Sequence, residues 1–235
     1  MDFRSAIRYC EPARSKDETR GHLQDFLTLD GCVVTTDGHR LHIAVVDDVD
    51  LAERRVFHPD GIEMIAHGKA PQDAYPVEQD CYPDVGQIVQ SAFGCGPKGR
   101  RVRVVGSEFH NALNAVMPEK PKREKRITSA PRVRKPKPKR GDPTPPKPSV
   151  TLEFLEDEIE ICGPFDEDAQ RKARRVYAHN VEGTAGLRLI FDAKYLIAAV
   201  KGMQVGRIEF TVNEELGPIG IESEDLRAVV MPMRP

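Results

Sequence analysis

Residues 118 to 148 read PEKPKREKRITSAPRVRKPKPKRGDPTPPKP, a stretch with nine prolines, twelve Lys or Arg and three Asp or Glu. Proline brings no backbone N–H and fixes φ, so this density excludes a helix interior or a paired strand. The like charges repel and favour an extended connection. The chain is therefore expected to fold on either side of this segment rather than through it. The whole chain carries −2 and the segment +9, so the remainder must sum to −11. A basic arm on an acidic body is the pattern of a segment that touches nucleic-acid phosphates, each contact releasing counterions. Its candidate contacts are Lys120, Lys122, Arg123, Lys125, Arg126, Arg132, Arg134, Lys135, Lys137, Lys139 and Arg140. A solvated spacer without a partner is the plainer alternative.

The 235 residues suffice for two ordinary domains or one large one. Charged residues make up 31% and apolar ones 39%, as in soluble globular proteins. Apolar runs extend over a few residues only, far short of the roughly 20 that span a bilayer. No apolar signal core follows the first methionine, so export is not expected. The five cysteines are widely spaced and form no CxxC. Neither a disulfide framework nor a zinc site is expected, and a reducing cytoplasm is the natural home.

Periodicity assigns the elements. Asp2–Tyr9 reads as a helix with Phe3, Ala6 and Ile7 on one side. Phe26–Leu29 and Cys32–Thr35 read as strands joined by Asp30-Gly31, and a second turn at Asp37-Gly38 leads into Leu41–Val46. Asp-Gly between β-type runs is a strong hairpin signal. Pro59–His67 reads as a short helix, Arg101–Val105 as a strand, and Glu108–Val116 as a helix capped by Ser107. Beyond the arm, Ser149–Ile161 alternates as a half-buried hairpin. Leu187–Phe191 follows as a strand, and Asp192 caps a helix over Ala193–Met203. Strands at Arg207–Val212, Ile219–Glu222 and Leu226–Met231 close the chain. The fold class is α+β with antiparallel sheets and about two short helices per domain, the first domain at 1–90 and the second, carrying the basic loop, at 91–235.

No catalytic constellation emerges. His39 and His42 lie on a turn and strand without carboxylates to complete a metal site, and no metal or cofactor is expected. Residues 94–99, GCGPKG, lack GxxxxGK[ST], and no GxSxG is present. The acidic turns 156–158 and 166–168 read as solvated rims.

Two strings stand out. Thr35-Thr36-Asp37-Gly38-His39-Arg40-Leu41 resembles the TDGHRL turn of the bacterial DNA sliding clamp family, the DNA polymerase III beta subunit. Val229-Val230-Met231-Pro232-Met233-Arg234 resembles that family's C-terminal VVMPMR. Between them, Tyr82-Pro83-Asp84 resembles the junction between the family's second and third domains, and Phe191-Asp192-Ala193-Lys194-Tyr195-Leu196 its F-N-x-x-Y-L helix start. Ser15–Arg20 and Glu209–Ile221 are similar to neighbouring family segments.

The resemblance implies a DNA-clamp fold and a non-enzymatic role. Family clamps have three domains per chain, and two chains close a six-domain ring around double-stranded DNA. This chain resembles the second and third domains, so six domains would need a homotrimer. The implied partners are sequence-independent duplex DNA, a DNA polymerase or other clamp-binding protein, and a clamp loader. Such proteins insert a short peptide between these two domains. The implied pocket comprises Leu23, Thr36, Gly38, His39, Arg40 and Leu41, with Pro83 and Ile88 from the junction. Pro218, Val229, Val230, Met231, Pro232, Met233 and Arg234 complete it. Arg20 and His22 match a loop that meets DNA in the family, and Arg4, Arg8, Lys194 and Lys201 sit on helices able to line a hole. The chain departs from the family in a short first domain after Lys69, in the arm, in Gln87 where an Arg is usual, and in Pro235 where a Leu is usual. A clamp-like adaptor that forms no ring, binds partner peptides and grips DNA through the basic loop is the alternative.

Overall fold

A computed structural model describes residues 1–47, 51, 53–68, 82–94, 100–117, 148–163, 173–179, 186–213 and 216–234. Residues 118–147 of the basic segment and the 164–172 and 180–185 stretches lie outside the described residues, as does the acidic turn at 166–168.

Helix α1 (Phe3–Cys10) begins where the Asp2 carboxylate accepts the Ser5 amide, and it buries Phe3, Ala6, Tyr9 and Cys10. Two short 3-10 segments, Glu11–Ala13 and Glu18–Leu23, lead to β1 (Phe26–Leu29), β2 (Cys32–Thr36) and β3 (Arg40–Val45). Asp30 and Gly31 both take positive φ, 49° and 73°, as a tight hairpin between right-twisted strands requires. Then come β4 (Arg55–Phe57), α2 (Pro59–Ala66) and α3 (Val85–Phe93). The sequence pattern disclosed α2 through its apolar face, whereas β4, three residues long, is too short to show alternation. Helix α3, which the sequence pattern did not disclose, is capped by Asp84, which accepts the Gln87 amide, and it buries Val85 and Ala92.

The later residues form a strand, a helix and three strands, twice over. The first set is β5 (Arg100–Val105), α4 (Gly106–Val116), β6 (Ser149–Phe154), β7 (Glu158–Cys162) and β8 (Ala173–His179). The second is β9 (Arg188–Asp192), α5 (Ala193–Lys201), β10 (Arg207–Val212), β11 (Ile219–Glu222) and β12 (Leu226–Val230). Ser107 does not cap α4: the helix starts one residue earlier, at Gly106, whose amide donates to Gly206. Only a glycine fits there, because a Cβ would collide with the Met203 carbonyl. Asp192 does cap α5, accepting the Lys194 amide at 2.9 Å.

Among the described residues, twelve strands form one antiparallel sheet in the order β4-β1-β2-β3-β12-β11-β10-β5-β8-β7-β6-β9. The β3–β12 pairing joins residues distant in sequence, with Leu41 opposite Val229 and Arg40 opposite Val230. Alternation gives this sheet two buried faces at that seam. One face holds Phe26, Val33, Ala44, Ala228 and Val230 beneath α1 and α5. The other holds Leu27, Val34, Leu41, Ile43 and Val229 beneath α3. The boundary expected between residues 90 and 91 falls inside α3, which packs on β10, β11 and β12.

Candidate functional site

The Asp37–Arg40 turn is fixed by its own side chains. The Asp37 carboxylate accepts the amides of His39 (3.0 Å) and Arg40 (3.2 Å) and Arg40 Nε (3.0 Å). Thr36 Oγ1 donates to the Arg40 carbonyl and accepts the Gly38 amide. Gly38 takes φ +88°, a left-handed conformation unfavourable to residues with a Cβ, and Leu23 packs below it. Arg40 reaches further: it donates to the Pro12 carbonyl, and its guanidinium lies 4.4 Å from the Tyr195 ring centroid. His39 stacks on the same ring at 6.2 Å. Partial burial, helped by the Asp37 charge, raises the Tyr195 hydroxyl above its ordinary pKa.

The C-terminal residues close over this turn. Met231 donates its amide to the His39 carbonyl at 2.9 Å, and Met233 donates to Ile190 at 2.7 Å. The segment thus straps the turn of the first part to β9 of the second. Met231 is 40% exposed, Arg234 is exposed, and Pro232 and Met233 are half-buried. Leu23, Thr36, Leu41, Val229 and Val230 are buried, Leu41 and Val229 on the α3 face of the sheet and Val230 on the opposite one. Ile88 packs with Leu41 and Val229 in one apolar cluster, and half-buried Pro83 follows Tyr82 of that cluster. Pro218 is half-buried and precedes Ile219, the partner of Val230.

Beside the strap opens a cleft of about 580 Å³. Pro12, Arg14, Ser15, Lys16, Asp17 and Arg20 form one wall, Asp37, His39 and Arg40 the second, and Lys194, Tyr195 and Ala198 of α5 the third. Two residues expected to meet DNA, Arg20 and Lys194, therefore share a cavity with two expected to bind peptide, His39 and Arg40. Sequence reading missed Pro12, Lys16, Asp37 and Tyr195. Tyr195 was within reach, since residues 194, 195 and 198 share a helical face.

The other cations expected at DNA differ in state. Arg8 and Lys201 are exposed on α1 and α5, which Tyr9 links by donating to the Ala199 carbonyl at 3.2 Å. Arg4 is engaged at the α1–α2 contact, donating to Ala66 and contacting His67. His22 is exposed in the second 3-10 segment. The eleven arm residues from Lys120 to Arg140 lie outside the described residues. Among the described residues, no cluster of His, Cys, Asp or Glu could hold a metal ion, and no helix is long and apolar enough to cross a membrane.

A search of protein-family models and of curated proteins found no match. Solved structures do match. The beta sliding clamp of Caulobacter crescentus superposes with a TM-score of 0.67 at 15% identity, covering 100% of this chain. The Pseudomonas aeruginosa clamp gives 0.70 at 15% identity over 99%, and the Bacillus subtilis clamp 0.68 at 16% over 99%. This chain has the sliding-clamp fold. It spans 64%, 64% and 62% of those three chains, respectively.

Proposed function

We propose that this chain is a DNA sliding clamp, a processivity factor that encircles duplex DNA and tethers a polymerase through short peptides bound at the β3–β12 seam. The observation that carries this reading is the union of the two clamp-like strings, Thr36–Leu41 and Val229–Arg234, into one surface on a clamp fold. Buried Leu41 and Val229 supply an apolar floor, and Met231 an adaptable, partly exposed anchor. The residues on either side of the junction, 1–90 and 91–235, act as the two clamp domains. Three chains would supply six such domains. Arg8 and Lys201, exposed on helices of one sheet face, contact phosphates without reading bases. A cytoplasmic protein with no reaction of its own fits this role. A clamp loader is the expected helper.

Retention on DNA tests it. Protein bound to nicked circular plasmid should stay associated at high salt and escape when the plasmid is linearised. Equal loss from both forms would remove the ring.

The +9 charge of residues 118–148 supports a second reading, an adaptor that grips DNA electrostatically. Neutralising Lys120–Arg140 would then abolish DNA binding and flatten its salt dependence, whatever the DNA topology.

A further inference from the structure

We propose that the cleft between residues 12–20, the 37–40 turn and α5 is an anion-binding subsite that holds an acidic side chain flanking the partner's apolar anchors. This rests on the peptide-binding reading above. The cleft's cations are unequally satisfied. Arg14 pairs with Glu11 at 2.8 Å, and Arg40 pairs with Asp37 at 3.0 Å. Among the described residues, Lys16 and Lys194 have no carboxylate within ion-pair distance, and Arg20 has only Asp17 at 4.0 Å. The two aspartates in the cavity are already occupied. Asp37 holds its own turn, and Asp17 accepts the Thr19 amide (3.0 Å) and hydroxyl (2.7 Å). Positive charge from the 12–20 segment and from α5 therefore faces a single cavity, with Arg20 met only by Asp17 and by the Asp37 carbonyl at 3.4 Å.

The cavity's shape favours a peptide side chain over duplex DNA. About 580 Å³ accommodates a few side chains. Pro12, Tyr195 and Ala198 supply apolar wall, which keeps water from fully screening a carboxylate. His39 lines the cleft and also holds Met231 by its carbonyl. A segment anchored on Met231 thus delivers its flank to Lys16, Arg20 and Lys194.

The probes are two short fluorescein-labelled peptides with leucine and phenylalanine anchors. One carries Asp-Glu flanks on both sides and the other Asn-Gln flanks. Fluorescence anisotropy on the full chain at low salt should give about tenfold tighter binding of the acidic peptide. The preference should shrink to less than twofold in the Lys16→Gln/Lys194→Gln double variant, its fold verified by circular dichroism. Lys194→Glu should instead favour a Lys-Lys-flanked peptide. Equal affinity of the two peptides for the unmodified chain overturns the subsite and leaves the pocket standing. Failure of both peptides to bind overturns the pocket and the subsite together. If the double variant loses a duplex oligonucleotide while ignoring peptide charge, the cleft is a phosphate site and the proposal falls.

Discussion

The amide of Met231 donates to the carbonyl of His39 at 2.9 Å, and this bond brings the chain's last strand against a turn formed almost two hundred residues earlier. Because the contact is main chain to main chain, it survives side-chain substitution. The Met231 side chain is free to serve a ligand.

Met231→Ala and Met233→Ala should therefore each weaken binding of an apolar-anchored peptide with little effect on folding. Truncating an interface anchor costs about 1–2 kcal/mol, or roughly tenfold in affinity. Titration calorimetry checks the affinity and a urea melt checks the fold. Unchanged affinity in both variants removes the pocket assignment.

Arg40 is the keystone of the same turn, joining Asp37, the Pro12 carbonyl and the Tyr195 ring. Its side chain and that of Asp37 are 12% and 14% exposed, so deleting one strands the other in partial burial. Arg40→Ala should cost about 2–4 kcal/mol of stability in chemical denaturation. Arg40→Lys should recover only part of it, because an ammonium cannot both lie flat on the ring and fork between two acceptors.

His42 lies in the core, stacked on Tyr9 at 4.8 Å with Nδ1 donating to the Tyr9 carbonyl at 2.8 Å. Nε2 is buried without a partner, and burial pulls the imidazole pKa from 6.5 down to about 4. The unfolded chain therefore binds more protons than the folded one between those values, and stability must fall as pH drops below 6.5. The loss should reach about 2 kcal/mol between pH 7 and pH 5. Thermal melts across that window check it, and His42→Phe should remove most of this slope.

Gly220 faces the Phe93 ring so closely that a Cβ would sit 2.5 Å from Cε1, whereas a Cβ on Gly21 would meet nothing within 4 Å. Gly220→Ala should force α3 away from β11 and cost about 1–3 kcal/mol. Gly21→Ala should be near neutral. Urea midpoints compare the two, and equal effects would contradict the α3 packing.

Where side-chain period and turn chemistry are local, the sequence disclosed the fold. The Asp30-Gly31 hairpin, the Asp192 cap and the β6–β7 alternation all correspond to described elements. Ser107 misled because the start of α4 depends on a long-range fit, the approach of Gly106 to Met203. Strand β8 was missed because its exposed face carries Arg175, Tyr177 and His179, leaving only Val176 and Ala178 as buried signal. At the site, the two strings were readable as motifs, yet nothing local revealed that β3 pairs with β12. The cleft was still less accessible, since Lys16, Asp37 and Tyr195 converge only through that pairing and the packing of α5.

Light scattering after size exclusion, across a range of protein concentrations, puts the ring to the most direct test. A clamp of six domains built from this chain predicts a particle near three chain masses that persists on dilution. A monomer at every concentration would contradict the preformed ring.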